Sequence, residues 1–254
     1  CFRRCGTSLA DMRRLKRIPM REVSGSLDDP FSHAKLTLAQ IIEAALAANR
    51  PVLFLSSGGS ALTVLPEKAP NGHLELLTMS VLDERMSENP AVQNFTRFST
   101  TPFFTDATSR GAHAIDPRPR PEETAPLTAA RFEASLRSYF SRIPSPLVVC
   151  TMGIGIDGHT AGIFPDTPAA FSAKFDSPAW VVGYDAGISA AEAPVRITLT
   201  NGFLRTTVGE AIVVADATKC LAVAKMLSDG PSNEVPARIT SRMKSVHIFT
   251  TCLV

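Results

Sequence analysis

Residues 148–166 read VVCTMGIGIDGHTAGIFPD. Gly153, Gly155 and Gly158 fall in the spacing G-x-G-x-x-G, the pattern of a dinucleotide-binding turn. Such a turn has to open a long helix whose N-terminus faces a pyrophosphate. Here Pro165 follows Gly158 by seven residues, and Pro168 comes soon after. Proline is tolerated in a helix's first turn and breaks its interior, so no long helix runs on from Gly158. The acid near the required offset, Asp176, precedes a strand-like run instead of ending one. A dinucleotide site is thereby excluded. What remains is a glycine-rich bend that carries Asp157 and His159.

The bend follows PLVVCTMG (146–153), a run apolar on both faces. VLFLS (52–56), LELLTMSVL (74–82), AWVVGY (179–184), VRITLT (195–200), AIVVAD (211–216) and SVHIFT (245–250) are of the same kind. Runs without alternation suit parallel strands covered by helices on each side. Between them, residues 32–50 carry apolar side chains at helical spacing, with Leu36, Ile41, Ala45 and Leu46 on one broad face. Residues 126–143 repeat this with Leu127, Phe132, Leu136 and Phe140, and 217–227 form a third helix. The alternation predicts an α/β fold: a doubly wound, mostly parallel sheet with helices on both faces, in three layers. The Pro-rich stretch DPRPRPEETAP (116–126) is a loop, and no internal repeat is found.

The chain has 254 residues, 44% of them hydrophobic, enough for one large domain or two small ones. A net charge of +2 gives no field that would draw nucleic acid or an anionic membrane. No apolar run approaches the roughly 18 residues of a membrane span. Five cysteines in a chain this size give no secreted framework, and the odd count leaves at least one unpaired. Cys150 and Cys220 lie in apolar runs, so both are expected as reduced core thiols of a cytoplasmic protein. The first 21 residues hold seven Arg or Lys and one acid, Asp11. They read as a basic extension (1–21) ahead of a single domain (22–254), with only partial likeness to a transit peptide. Met12 and Met20 stand as alternative starts.

In an open parallel sheet, ligands bind beyond the carboxyl ends of the strands. After VLFLS come Gly58, Gly59 and Ser60, where a tight turn exposes backbone amides and Ser60 can cap a following helix. After LTMSVL come Asp83, Glu84 and Arg85, three charges at the end of a buried strand, where unpaired burial would be costly. In the bend, His159 paired with Asp157 is a candidate general base, and a metal site would need ligands the sequence does not offer nearby. Arg196 opens RITLT and Lys219 opens the helix after AIVVAD. With the Gly-Gly-Ser turn, these two cations suggest a cradle for one phosphate.

SGGS, LDER, GIGIDGHTAGIFP and RITLT…K occur in that order, over roughly residues 30–227. In this the sequence resembles the 6-phosphogluconolactonases of the wider glucosamine-6-phosphate isomerase/6-phosphogluconolactonase superfamily. The resemblance implies hydrolysis of 6-phosphoglucono-1,5-lactone to 6-phosphogluconate in the pentose phosphate pathway, with no cofactor and no metal. It implies His159 as general base on water, Asp157 as its orienting partner, and amides of the 153–158 bend as support for the oxyanion. The phosphate would rest on Gly58, Gly59, Ser60, Arg196 and Lys219, with Arg85 on the phosphate or a sugar oxygen; Asp83 matches a deaminase acid-base residue. The partner implied is a small phosphosugar lactone, not nucleic acid or membrane, and oligomeric state is not readable.

Two alternatives stay open. Glucosamine-6-phosphate deaminases carry a Glu five residues after the His, where this chain has Phe164. Loss of that carboxylate removes proton handling that ring opening and isomerisation need, which favours ester hydrolysis. The other alternative is a non-catalytic phosphosugar-binding domain; it normally follows a helix-turn-helix, for which some 30 residues are too few. The sequence departs from the family after DER, where lactonases often read xVP and then SNY. Here the text is MSENPAVQNF, with Asn94 standing for the family's Asn. The departures bear on substrate breadth more than on reaction class.

Overall fold

A computed structural model describes residues 20–190 and 193–253. Most of the basic segment 1–21 lies outside the described residues. Strand β1 (Met20–Ser24) comes first. Helix α1 (Pro30–Ala47) begins where Asp29 accepts the Ser32 amide at 3.0 Å and Pro30 fills a first-turn position that needs no N–H. Strands β2 (Val52–Ser56) and β3 (Leu77–Val81) are buried throughout, and the three-residue strand β4 (Asp83–Arg85) follows. Short helices α2 (Asn94–Ser99) and α3 (Pro102–Ser109) lead to β5 (His113–Ala114) and the long helix α4 (Ala125–Arg142). Strand β6 (Leu147–Met152) feeds the glycine-rich bend, which has no helix until α5 (Pro168–Phe175). Then come β7 (Val181–Asp185), β8 (Val195–Leu199), α6 (Asn201–Thr206), β9 (Glu210–Ala215), α7 (Cys220–Leu227) and β10 (Ser245–Thr250).

Seven strands form one parallel sheet in the order β1-β10-β9-β6-β2-β3-β5. Its two faces are covered separately. Leu53, Leu55, Val148, Cys150, Ala211 and Val213 pack with Phe132 and Leu136 of α4 and Val223 of α7. Their neighbours Val52, Phe54, Val149, Ile212 and Val214 pack on the other side with Ala34, Leu38 and Ile42 of α1 and Phe98 and Phe103 of α2 and α3. Adjacent strand residues point to opposite faces, so a run apolar at every position needs two helical layers to bury it. The core is correspondingly intolerant: truncating the wholly buried Phe132 to Ala would cost about 3–5 kcal/mol. The fold is the three-layer, doubly wound α/β arrangement expected. No helix among the described residues is long and apolar enough to cross a membrane.

Several details differ from expectation. AWVVGY and VRITLT leave the main sheet and, with β4, form a separate antiparallel sheet in the order β4-β8-β7. Leu36 and Leu127 are exposed; α1 buries Ala45 and Leu46 as expected, together with Ala34, Leu38 and Ile42 in place of Leu36. Cys220 is bonded to Cys252 across 32 residues, with Cα atoms 5.2 Å apart, so it is not a reduced core thiol. Cys150 is free and buried, as expected. Strand β1 begins at Met20, inside the segment read as an extension, and Glu22 of β1 stands 3.3 Å from His247 of β10.

Candidate active site

The chain winds outward from β2 to β3 and β5, then returns to lay β6 on the other side of β2. The carboxyl ends of β2 and β6 therefore flank the switch point of the sheet, where an open α/β fold leaves a crevice. The Ser57 amide, just past β2, donates to Thr151 of β6 at 3.1 Å and ties the two ends together. Above them lies a pocket of about 260 Å³. Its walls include Gly58, Gly59 and Ser60 after β2, Asp83 and Arg85 of β4, His159 in the bend, Arg196 of β8, and Lys219. Asp157 is absent from the wall and reaches the pocket through His159.

The catalytic candidates are held by the bend itself. His159 Nδ1 is 2.6 Å from Asp157 Oδ1, and the same oxygen accepts the His159 amide at 3.1 Å. The Gly155 amide donates to the His159 carbonyl at 2.8 Å, closing the bend. A Cβ on Gly155 would overlap the imidazole, so the ring lies over the bare Cα of this glycine. On Asp157, burial raises the carboxyl pKa, but the hydrogen bond and charge of His159 outweigh it and the net shift is downward. An ionised Asp157 only accepts, so Nδ1 carries the shared proton and Nε2 is left as the basic nitrogen of the neutral ring. Phe164 stacks on the imidazole with centroids 4.2 Å apart and planes at 23°. Tyr184 fixes that phenylalanine's backbone, donating to the Gly162 carbonyl at 2.6 Å and accepting the Phe164 amide at 3.3 Å.

The same pocket is lined by cations. In the antiparallel pair of β4 and β8, Arg85 stands directly across from Arg196. Like charges in that position repel. Burial lowers the Arg196 pKa against the pull of Asp83, with the charge of Arg85 a smaller downward push. The Nε atoms of both arginines are buried without a hydrogen-bond partner. Among the described residues, neither arginine nor Lys219 is paired with a carboxylate within 4.0 Å. Three cations without an ion-pair partner, lining a pocket whose one carboxylate among the described residues is Asp83, make a site for a doubly charged anion.

Some features were not foreseen and some foreseen ones differ. The segment after Gly58 is a short 3-10 turn (Gly59–Val64) rather than an α-helix, and no side chain caps it, so Ser60 is not the cap expected. Lys219 ends a 3-10 turn (Ala217–Lys219) that precedes α7, with Asp216 accepting the Thr218 amide at 2.9 Å. The amides of Gly155 and Gly158 are used inside the bend, the latter on the Gly155 carbonyl at 2.9 Å, so neither is free for an oxyanion. The stacking of Phe164 on His159 has no signal in the sequence beyond their spacing. Glu84 and Asn94 are both buried, and Asn94 packs against Gly58 of the pocket lining. Strand alternation separates Glu84 from Asp83 and Arg85, a signal present in D-E-R once it is known to be a strand.

The family model for glucosamine-6-phosphate isomerases/6-phosphogluconolactonase matches residues 27–249. The chain belongs to this family. Comparison with curated proteins gives no match. Among solved structures, the chain is similar to a 6-phosphogluconolactonase from Shewanella baltica, with TM-score 0.73 and 20% identity over 91% of this chain and 97% of that one. The 6-phosphogluconolactonase of Trypanosoma brucei gives TM-score 0.70 and 19% identity over 91% and 95% of the two chains. That of Thermotoga maritima gives 0.71 and 18% over 91% and 99%.

Proposed function

We propose that the chain hydrolyses 6-phosphoglucono-1,5-lactone to 6-phosphogluconate. His159 Nε2 takes a proton from water as the oxygen attacks C1. The tetrahedral intermediate then collapses with cleavage of the bond from C1 to the ring oxygen. The imidazolium returns its proton to that oxygen, which leaves as the 5-hydroxyl, and the new acid ionises. Asp157 orients the ring and supports its charged form. The phosphate rests against Gly58, Gly59, Ser60, Arg196 and Lys219, with Arg85 beside it. Asp83, 5% exposed and on the face of β4 shared with Arg85, holds the sugar end.

One observation carries this assignment: an Asp157–His159 pair opens on the same pocket as three unpaired cations. Phe164, stacked on the histidine, favours lactone hydrolysis over deamination, because amino-sugar ring opening needs a second proton carrier and a phenyl ring is none. The many 6-phosphogluconolactonases of like fold, taken with family membership, support it further. The test is turnover of freshly generated 6-phosphogluconolactone by wild type and His159→Ala. A loss of about 10²-fold or more is expected, the usual contribution of a general base. Equal rates would remove His159 from the reaction, and ammonia release from glucosamine 6-phosphate without lactone hydrolysis would reassign the activity.

A further inference from the structure

Alternation in β4 puts Asp83 and Arg85 on the pocket face and Glu84 on the opposite one. Glu84 is fully buried and touches no pocket space. One of its oxygens, Oε1, accepts two amides: that of Arg85 at 2.7 Å and that of Asn94 at 2.6 Å. The other, Oε2, accepts the Phe95 amide at 2.8 Å. A single carboxylate oxygen thus closes both ends of the loop 86–93. Within that loop, Asn89 accepts the Ala91 amide at 3.1 Å and Gln93 donates to the Ser87 carbonyl at 2.7 Å. The loop in turn grips the pocket arginine, since Arg85 Nη1 donates to the Val92 carbonyl at 2.9 Å.

A second path leads from the same carboxylate to the turn after β2. Asn94, seated by its amide on Glu84, donates from Nδ2 to the Asp83 carbonyl at 2.9 Å. Its side chain occupies the space that any Cβ on Gly58 would need. Oδ1 is buried there without a partner, an arrangement with a cost that packing alone does not require.

We infer that Glu84 is a positioning residue for the anion side of the pocket, aiming Arg85 through the 86–93 loop and seating Gly58 through Asn94. The inference rests on the lactonase assignment only in taking Arg85 and Gly58 as phosphate contacts. Glu84 itself touches no reacting atom.

A double-mutant cycle tests it, with wild type, Glu84→Gln, Arg85→Ala and the double variant compared after the folded fraction of each is read by circular dichroism. Gln keeps the size but turns one acceptor into a donor that faces an N–H. For folded Glu84→Gln, KM for the lactone and Kd for 6-phosphogluconate by calorimetry should each rise about tenfold, the scale of one lost charge-assisted hydrogen bond, with kcat within about threefold. The double variant should fall short of the product of the two single effects, by the share of the Glu84 effect that runs through Arg85. Unchanged KM and Kd, or effects of the two substitutions that simply multiply, would overturn the inference. If Glu84→Gln does not fold, Glu84→Asp serves: it keeps the charge but is too short to reach all three amides, and an unaltered KM there would be equally fatal. If wild type turns over no lactone, the assigned reaction fails, yet the brace is still readable in crystals of Glu84→Gln. There Arg85 should leave the Val92 carbonyl, and an arginine still bonded to it would rule the brace out.

Discussion

Asp157 Oδ1 accepts from two atoms of His159 at once, the ring Nδ1 at 2.6 Å and the backbone amide at 3.1 Å. The first bond sets the tautomer and the second sets the chain direction, so the carboxylate fixes both the chemistry and the aim of the imidazole. Asp157→Asn keeps the shape but removes the charge that supports an imidazolium, and its amide group can offer Nδ1 the wrong partner. The expected result is a fall in kcat of about 10²-fold or more with KM within about threefold. Initial rates of lactone hydrolysis across substrate concentration check it. A variant of wild-type kcat would mean that the pair is structural.

Arg196 lies opposite Arg85 and is 6% exposed. A buried cation facing another is tolerable when an anion sits between them, and a phosphate remote from C1 is bound alike in ground state and transition state. Arg196→Ala should therefore raise KM by about tenfold or more and lower kcat much less. A large fall in kcat at unchanged KM would instead tie Arg196 to the developing charge at C1.

The parts of this layout that could be read in the sequence are those whose signal is local. VLFLS and SVHIFT coincide with β2 and β10 residue for residue, because each is a short apolar run buried on both sides. The Gly-Gly-Ser turn and the DGH bend lie at strand ends, so topology alone carries them to the switch point. Strand β4 escaped because D-E-R has no apolar pattern; it is a strand only through its pairing with β8, which is distant in sequence. Helices α5 and α6 are one or two turns long and too short to show a period. The inner face of α1 is legible only in part: Ala45 and Leu46 lie on it, but Ala34, small and wholly buried, marks its first turns better than exposed Leu36 does. The work of Glu84 is the least legible of all, since it consists of bonds to backbone amides across a loop.

The disulfide is a case where apolar context misled. Cys220 opens α7 immediately after Lys219, and Cys252 follows the last strand and is 2% exposed. Closing a loop between residues 32 apart removes denatured-state entropy worth about 3–4 kcal/mol in the chain-entropy account. Cys252→Ser should lower the unfolding free energy by about that amount, read from urea titration at fixed m-value. Added reductant should destabilise wild type to the same midpoint and leave the variant unmoved. A reductant-insensitive wild type would show that the bond does not form in solution.

Glu84 joins function to stability with a sign that can be worked out. Burial pushes its carboxyl up from 4.5 to about 7, against the downward pull of the Arg85, Phe95 and Asn94 amides and with help from the charge of Asp83. The folded state therefore binds the proton more tightly than the unfolded one. Between 4.5 and about 7 the native chain holds more protons, so stability from this group is complete below pH 4.5 and is lost as pH rises through about 7. At roughly 1.4 kcal/mol per unit, the loss across that window is about 3 kcal/mol. Glu84→Gln cannot titrate, and every other group is shared, so the difference in unfolding free energy between variant and wild type isolates this term. The variant should gain about 3 kcal/mol on wild type between pH 4.5 and 8, whatever constant cost its amide imposes at the three N–H groups. Parallel pH profiles for the two proteins would mean that Glu84 is ionised as easily as in the unfolded chain. A carboxylate that costs stability once ionised, on a strand where an apolar residue would pack, is expected where its bonds to Arg85 and Asn94 serve the pocket.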